Sequence, residues 1–239
     1  MNRIAAALNP FAVKRYILKV LVVLMGLAII AFGVSVFLLV GLGTDPVTVF
    51  CDGLGRVARI QPGTALIILN TVVVLLLALF KRKYLNIATF LSWFVNGFIM
   101  NFFTWALGGV ITPALPFALR VLLMLAACVV LSFGVSLYLN VHLGSGPTDT
   151  IGIWISEATN VQFRWIRMAV DAFFVLMGSL LGGVVGLGTL SGMFLTGPVV
   201  QFFNPMTMRF VQRLFPEMRP VTDTVPALSV DDVARQASK

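Results

Sequence analysis

Phe32-Gly33-Val34-Ser35-Val36-Phe37-Leu38-Leu39-Val40-Gly41-Leu42-Gly43-Thr44-Asp45-Pro46 returns, at an offset of 101, as Phe133-Gly134-Val135-Ser136-Leu137-Tyr138-Leu139-Asn140-Val141-His142-Leu143-Gly144-Ser145-Gly146-Pro147. Nine of the fifteen aligned positions are identical: Phe32, Gly33, Val34, Ser35, Leu38, Val40, Leu42, Gly43 and Pro46. The same offset pairs Lys19 with Arg120, Gln61 with Gln162 and Asn70 with Asp171, so polar positions match as well as apolar ones. After a slip to an offset of 100, Thr89, Phe94, Gly97, Phe102 and Phe103 meet Thr189, Phe194, Gly197, Phe202 and Phe203. Two similar halves of roughly 95 residues fill most of the chain, longer than solenoid periods and close to the internal duplication of transporters.

With 59% hydrophobic and 11% charged residues among 239, the chain falls far below the charged fraction of about a quarter that a soluble globule carries. It is read as a membrane protein, with the lipid bilayer as its first partner. Long apolar runs bounded by basic clusters point to helical spans, since a membrane barrel alternates over segments of about ten residues. Cys51 and Cys128 form no disulfide framework, and His142, the one histidine, builds no metal site alone. The formal charge of +8 sits at the ends of apolar stretches, where positive-inside bias explains it without nucleic acid.

Along the chain, residues 1–15 form a cytoplasmic lead, 16–110 the first repeat, 111–213 the second and 214–239 a flexible cytoplasmic tail. Six spans are expected, at about 16–40, 64–80, 85–107, 117–141, 165–181 and 187–210. In each repeat a short helix follows the first span, opened by Pro46 or Pro147 and too short to cross. The fold class is therefore all-α, a polytopic membrane protein of six transmembrane helices. With both termini inside, only Arg56, Arg59 and Arg120 of the seventeen Lys and Arg residues fall outside, which fits a bacterial cytoplasmic membrane. Three crossings per half is odd, so the second repeat is inverted relative to the first.

Leu42-Gly43-Thr44-Asp45-Pro46, Leu143-Gly144-Ser145-Gly146-Pro147 and Gly186-Leu187-Gly188-Thr189 with Gly197-Pro198 carry a resemblance to the YczE/YyaS/YitT group of bacterial integral membrane proteins. That group shares a Leu-Gly-(Thr/Ser)-x-Pro turn after an apolar helix and a later Gly-x-Gly-Thr stretch. The likeness covers residues 16–210 and implies a polytopic, transport-related protein, with no substrate to carry over.

Helix N-termini offer free amide donors and partial positive charge, so the two Pro-initiated helices are the first candidates for holding a ligand; the plain alternative is an interfacial helix after a capped turn. A carboxylate within an apolar span costs roughly 2.5–3.5 kcal/mol even on translocon scales. Asp171 is therefore the strongest single candidate, for a cationic group or a coupling proton, against an ion pair with Arg167 one turn earlier. Asn70 occupies the matching position in the first half. Asp149 in the first turn of the second short helix reads as a cap or a ligand. Asn96 aligns with Thr196 and Asn101 with Gln201, read first as interhelical contacts.

The expected function is a secondary transporter of a small polar metabolite, through a cavity lined by Thr44, Asp45, Asn70, Asn96, Ser145, Asp149, Asp171 and Thr196. The rival is a non-transporting scaffold or accessory subunit. No cofactor, metal or catalytic constellation is expected, hence no enzyme, and a homo-oligomer is left open.

Overall fold

A computed structural model of the chain describes residues 10–80, 87–144 and 146–215. Residues 1–9 of the lead, Lys81-Arg82-Lys83, Ser145 and residues 216–239 of the tail lie outside the described residues. Nine helices run in order among them: α1 Pro10–Val40, α2 Pro46–Ala58, α3 Pro62–Phe80, α4 Ile87–Leu107, α5 Phe117–Asn140, α6 Pro147–Thr159, α7 Phe163–Leu180, α8 Leu187–Phe194 and α9 Thr196–Leu214. No strand occurs among the described residues. The protein is an all-helical, polytopic membrane protein.

Stretches in α1, α3, α4 and α5 are long and apolar enough to cross a bilayer. The expected fifth span, α7, carries Arg164, Arg167 and Asp171 within its 18 residues, and is less apolar than those four. The expected sixth span is broken into α8 and α9 at Leu195. The cause is covalent: Pro198 has no N–H to bond back to Phe194, so the ladder that supports Leu195 from Ser191 resumes only at Val199. The first helix also begins at Pro10, six residues ahead of the expected start.

The centre of the fold is the crossing of α1 on α5. A Cβ added at Gly33 would lie 2.9 Å from Leu131 Cβ and 3.0 Å from Ala127 O, while one at Gly134 would lie 2.9 Å from Ile30 N and 3.0 Å from Gly26 O. Partner numbers fall on one helix as they rise on the other, so α1 and α5 run antiparallel. In lipid, where burial against tails gives helices little reason to associate, such close backbone approach is a main source of cohesion. Around this crossing α4 packs on α1, and α9 on α5. Phe32 meets Phe103 at 5.3 Å between ring centroids and Phe133 meets Phe203 at 5.4 Å, both edge-on.

Each of these packings is tied by polar contacts. Ser35 donates to the Met100 carbonyl at 3.0 Å, joining α1 to α4. Ser136, 101 residues on, shares a 2.6 Å hydrogen bond with Thr207 of α9. Asn101 of α4 accepts from the Gly63 N–H at 2.9 Å and donates to Thr64 at 3.0 Å, satisfying the first turn of α3. Arg120 of α5 donates to the carbonyls of Val40 and Gly41 at 2.8 and 3.1 Å, closing the end of α1.

The crossing is the point where added volume should be felt most. Gly134→Ala is expected to cost on the order of 1–3 kcal/mol through overpacking, measured as unfolding of the detergent-solubilised protein. Gly109→Ala, where an added Cβ meets nothing within 4 Å, should leave the transition unchanged.

Candidate functional site

The turn after α1 and the turn after α5 share one backbone pattern. Gly43 (φ 98°) and Gly144 (φ 118°) both occupy the left-handed region, where a side chain would be strained. α2 and α6 then start at Pro46 and Pro147 and both end on left-handed residues, Arg59 and Asn160. Because α1 and α5 are antiparallel, the two turns leave from opposite ends of the central pair. Both short helices nevertheless contact α7.

At the start of α2, Asp45 is the N-cap. Its carboxylate accepts from the Thr48 N–H at 3.2 Å and from the Thr44 hydroxyl at 3.3 Å. Thr44 is 2% exposed, so this cap sits inside the protein. At the start of α6, Asp149 accepts from Arg167 of α7. Arg167 also donates through Nε to Asp171 at 3.1 Å. Asp45 and Asp149 both lie within electrostatic reach of Asp171. One arginine thus pairs with carboxylates from two helices, α6 and α7, and the N-cap carboxylate of α2 adds its field at Asp171.

Among the described residues the cluster has an acidic balance, Asp45, Asp149 and Asp171 to Arg167. One oxygen of Asp171, Oδ1, is buried without a hydrogen-bond partner among the described residues, as are Asn96 Oδ1 on α4 and Trp154 Nε1 on α6. Buried polar atoms of this kind are normally satisfied, and their exceptions cluster where something else binds. Tyr138 of α5 extends the polar surface toward Asp149 and receives a 3.3 Å hydrogen bond from Ser92, one helical turn before Asn96.

Of the residues anticipated from sequence, Thr44, Asp45, Asp149 and Asp171 come together. The ion pair from Arg167 to Asp171 is present, but the guanidinium is shared with a second helix. Asn96 shares a helix face with Ser92. Asn70 is buried in α3 at 4% exposure, and no hydrogen bond joins it to Asp171 among the described residues. Thr196 stands apart, with Cys128 Sγ 3.8 Å from its hydroxyl. Ser145 lies outside the described residues.

Sequence reasoning gave Arg167 only a structural part and passed over Asp52. The Asp52 carboxylate, in α2, holds Arg56 at 3.1 Å and the Val184 N–H at 3.1 Å, tying the first half to the loop before α8. Both residues could have been found as polar positions whose repeat partners, Leu66 and Ile153, are apolar. Helix α8 itself meets the first turn of the repeat directly: the Gly188 N–H donates to Leu42 O at 2.8 Å, and an added Cβ at Gly192 would lie 3.3 Å from Asp45 Cα.

Residues 17–205 match the model of a family of unknown function, DUF6198. The chain belongs to this family. Both Pro-initiated helices and the whole Asp45, Asp149, Arg167 and Asp171 cluster fall inside the matched stretch. Relatives include a protein of Haemophilus influenzae, 30% identical over 76% of this chain and 81% of its own, which is named only as uncharacterized. The Bacillus subtilis membrane protein YczE is 28% identical over 78% of this chain and 85% of its own. YyaS of the same organism is 23% identical over 77% and 92%. The resemblance to the YczE and YyaS proteins drawn from the turn motifs therefore holds. No solved structure matches.

Arg167→Gln would leave Asp149 and Asp171 facing each other without their shared cation. The expected loss is about 1–3 kcal/mol, between the values for exposed and buried pairs because the arginine side chain is 43% exposed. Adding Asp171→Asn should recover part of it, read as thermal unfolding of the two variants side by side.

Proposed function

We propose that the protein is a secondary transporter of a small polar metabolite bearing a cationic group, built as six spans in two inverted three-span repeats. The observation that carries this reading is that each half brings a carboxylate at the start of its short helix toward Asp171: Asp149 of α6 shares Arg167 with it, and Asp45, the N-cap of α2, lies within its electrostatic reach. Transporters with inverted repeats use broken helices in this way, with substrate at the interface of the halves near mid-membrane.

Packing supports the inversion. Exchanging α1 with α5, α2 with α6, α3 with α7 and α4 with α8 and α9 turns the contact of α1 with α4 into that of α5 with α9, and α2 with α7 into α6 with α3. Gly33 against Leu131 likewise exchanges with Gly134 against Ile30. An antiparallel, self-complementary crossing of this kind has its two-fold axis across the helices, hence in the membrane plane. The acidic excess of the cluster favours a cation, and the unpartnered Asp171 Oδ1 and Asn96 Oδ1 supply acceptors for ammonium hydrogens. The location that follows is a bacterial cytoplasmic membrane, with both termini inside.

Reconstituted vesicles offered a panel of amines, amino acids and organic acids should accumulate an amine-bearing compound. Asp171→Asn should lower that uptake at least tenfold while the yield of folded protein stays within twofold. A scaffold would instead show no uptake with any compound and would lose folded protein in the variant. The inversion has its own test. In a background without Cys51 and Cys128, cysteines at the repeat-equivalent, exposed positions Gln61 and Gln162 should react with an impermeant maleimide from opposite faces; labelling from one face alone would exclude the inverted arrangement.

A further inference from the structure

A groove of about 710 Å³ opens between α1, α5 and α9. The volume is within the roughly 300–1,000 Å³ of small-molecule sites. Its walls come from Met25 and Ile29 of α1, Phe133 and Leu137 of α5, and Phe210 of α9. Thr207 also borders it, but its hydroxyl is engaged by Ser136 and Asn140. The polar groups left to a ligand are Arg209 and Arg213. They stand one helical turn apart, so their side chains share a face. Both are exposed, and neither forms an ion pair among the described residues.

The groove has a polar end and an apolar length. Phe215, just past α9, lies under the Lys19 ammonium at 5.6 Å, so the last turn of α9 meets the basic start of α1. Lys19, Arg209 and Arg213 thus gather at one end, and the apolar walls run from there toward the middle of α1 and α5. Positive-inside bias accounts for basic residues at a helix end. It does not account for a groove leading from them between three helices.

We infer that this groove holds an anionic phospholipid, its phosphate on Arg209 and Arg213 and one acyl chain along α1 and α5. Basic pockets between membrane helices select anionic headgroups by charge, and the chain adds apolar area. The site is separate from the proposed transport site, and its occupancy does not depend on what that site carries.

The test uses the full chain, delipidated in detergent and titrated with phosphatidylglycerol, phosphatidylcholine or inorganic phosphate, with bound lipid counted by native mass spectrometry. Phosphatidylglycerol should bind at least fivefold more tightly than phosphatidylcholine, and inorganic phosphate should not displace it at equal concentration. Arg209→Gln with Arg213→Gln should remove the preference, while Arg209→Lys with Arg213→Lys should keep most of it. Met25→Trp, at a position 44% exposed on the groove wall, should weaken both lipids without changing charge. Equal binding of the two lipids, a preference that survives the glutamine pair, or full displacement by phosphate would each overturn the assignment.

Discussion

A helix that ends inside a bilayer has no water to meet its free N–H and C=O groups, so protein must meet them instead. This chain has helix ends packed against its other elements, and polar residues are committed to them. Asp45 accepts from the first turn of α2, Asn101 from that of α3, and Arg120 closes α1. Asp52 holds the Val184 N–H ahead of α8, and Leu42 O takes the Gly188 N–H within it. Helix ends are therefore fixed by their own caps and by groups from other elements, which ties the position of several breaks to the packing of the bundle.

The second condition is close approach. Gly33 and Gly134 let α1 and α5 touch backbone to backbone, and Gly43, Gly186 and Gly188 do the same where the first turn meets the loop before α8. Between Gly53, Gly178 and Gly183 the short helix α2 lies directly on the end of α7. These contacts hold the start of α2 beside α7, and so place Asp45 within reach of Asp171. A larger residue at any of them would move a helix end, and with it a charge.

The repeat was legible because its marks are backbone marks. Paired glycines at the crossing, paired left-handed turns at Gly43 and Gly144, and paired left-handed ends at Arg59 and Asn160 recur at the offset read from sequence. Helix existence followed from apolar length and proline placement. What stayed hidden depends on which faces meet. That Arg167 would reach Asp149, or that Arg120 would cap a helix 80 residues away, is decided by rotation of packed helices, which hydropathy does not encode. Asn70 and Asp171 share a repeat position, yet equivalent positions in two repeated halves need not touch. The break at Leu195 is encoded by Pro198, but Gly197-Pro198 lies within an apolar run that reads as one helix from sequence alone.

The cluster also departs from the repeat in a way that bears on its use. The positions matching Arg167, Asp149 and Asp171 are Leu66, Thr48 and Asn70, and the position matching Asp45 is Gly146. Leu66 is 8% exposed and packs with Ala31, Val34, Cys51 and Met100 in the apolar core. Each acid or base is thus present once, in one half or the other, never at both members of a pair. Withdrawing an ion from water costs several kcal/mol even after relaxation, so a symmetric pair of such clusters would weigh heavily on a protein of this size. A single charged centre, assembled from both halves and approached by a short helix from each, is also what a carrier alternating between two faces requires: two separate sites would each serve one side, and only a shared one can be handed from one opening to the other.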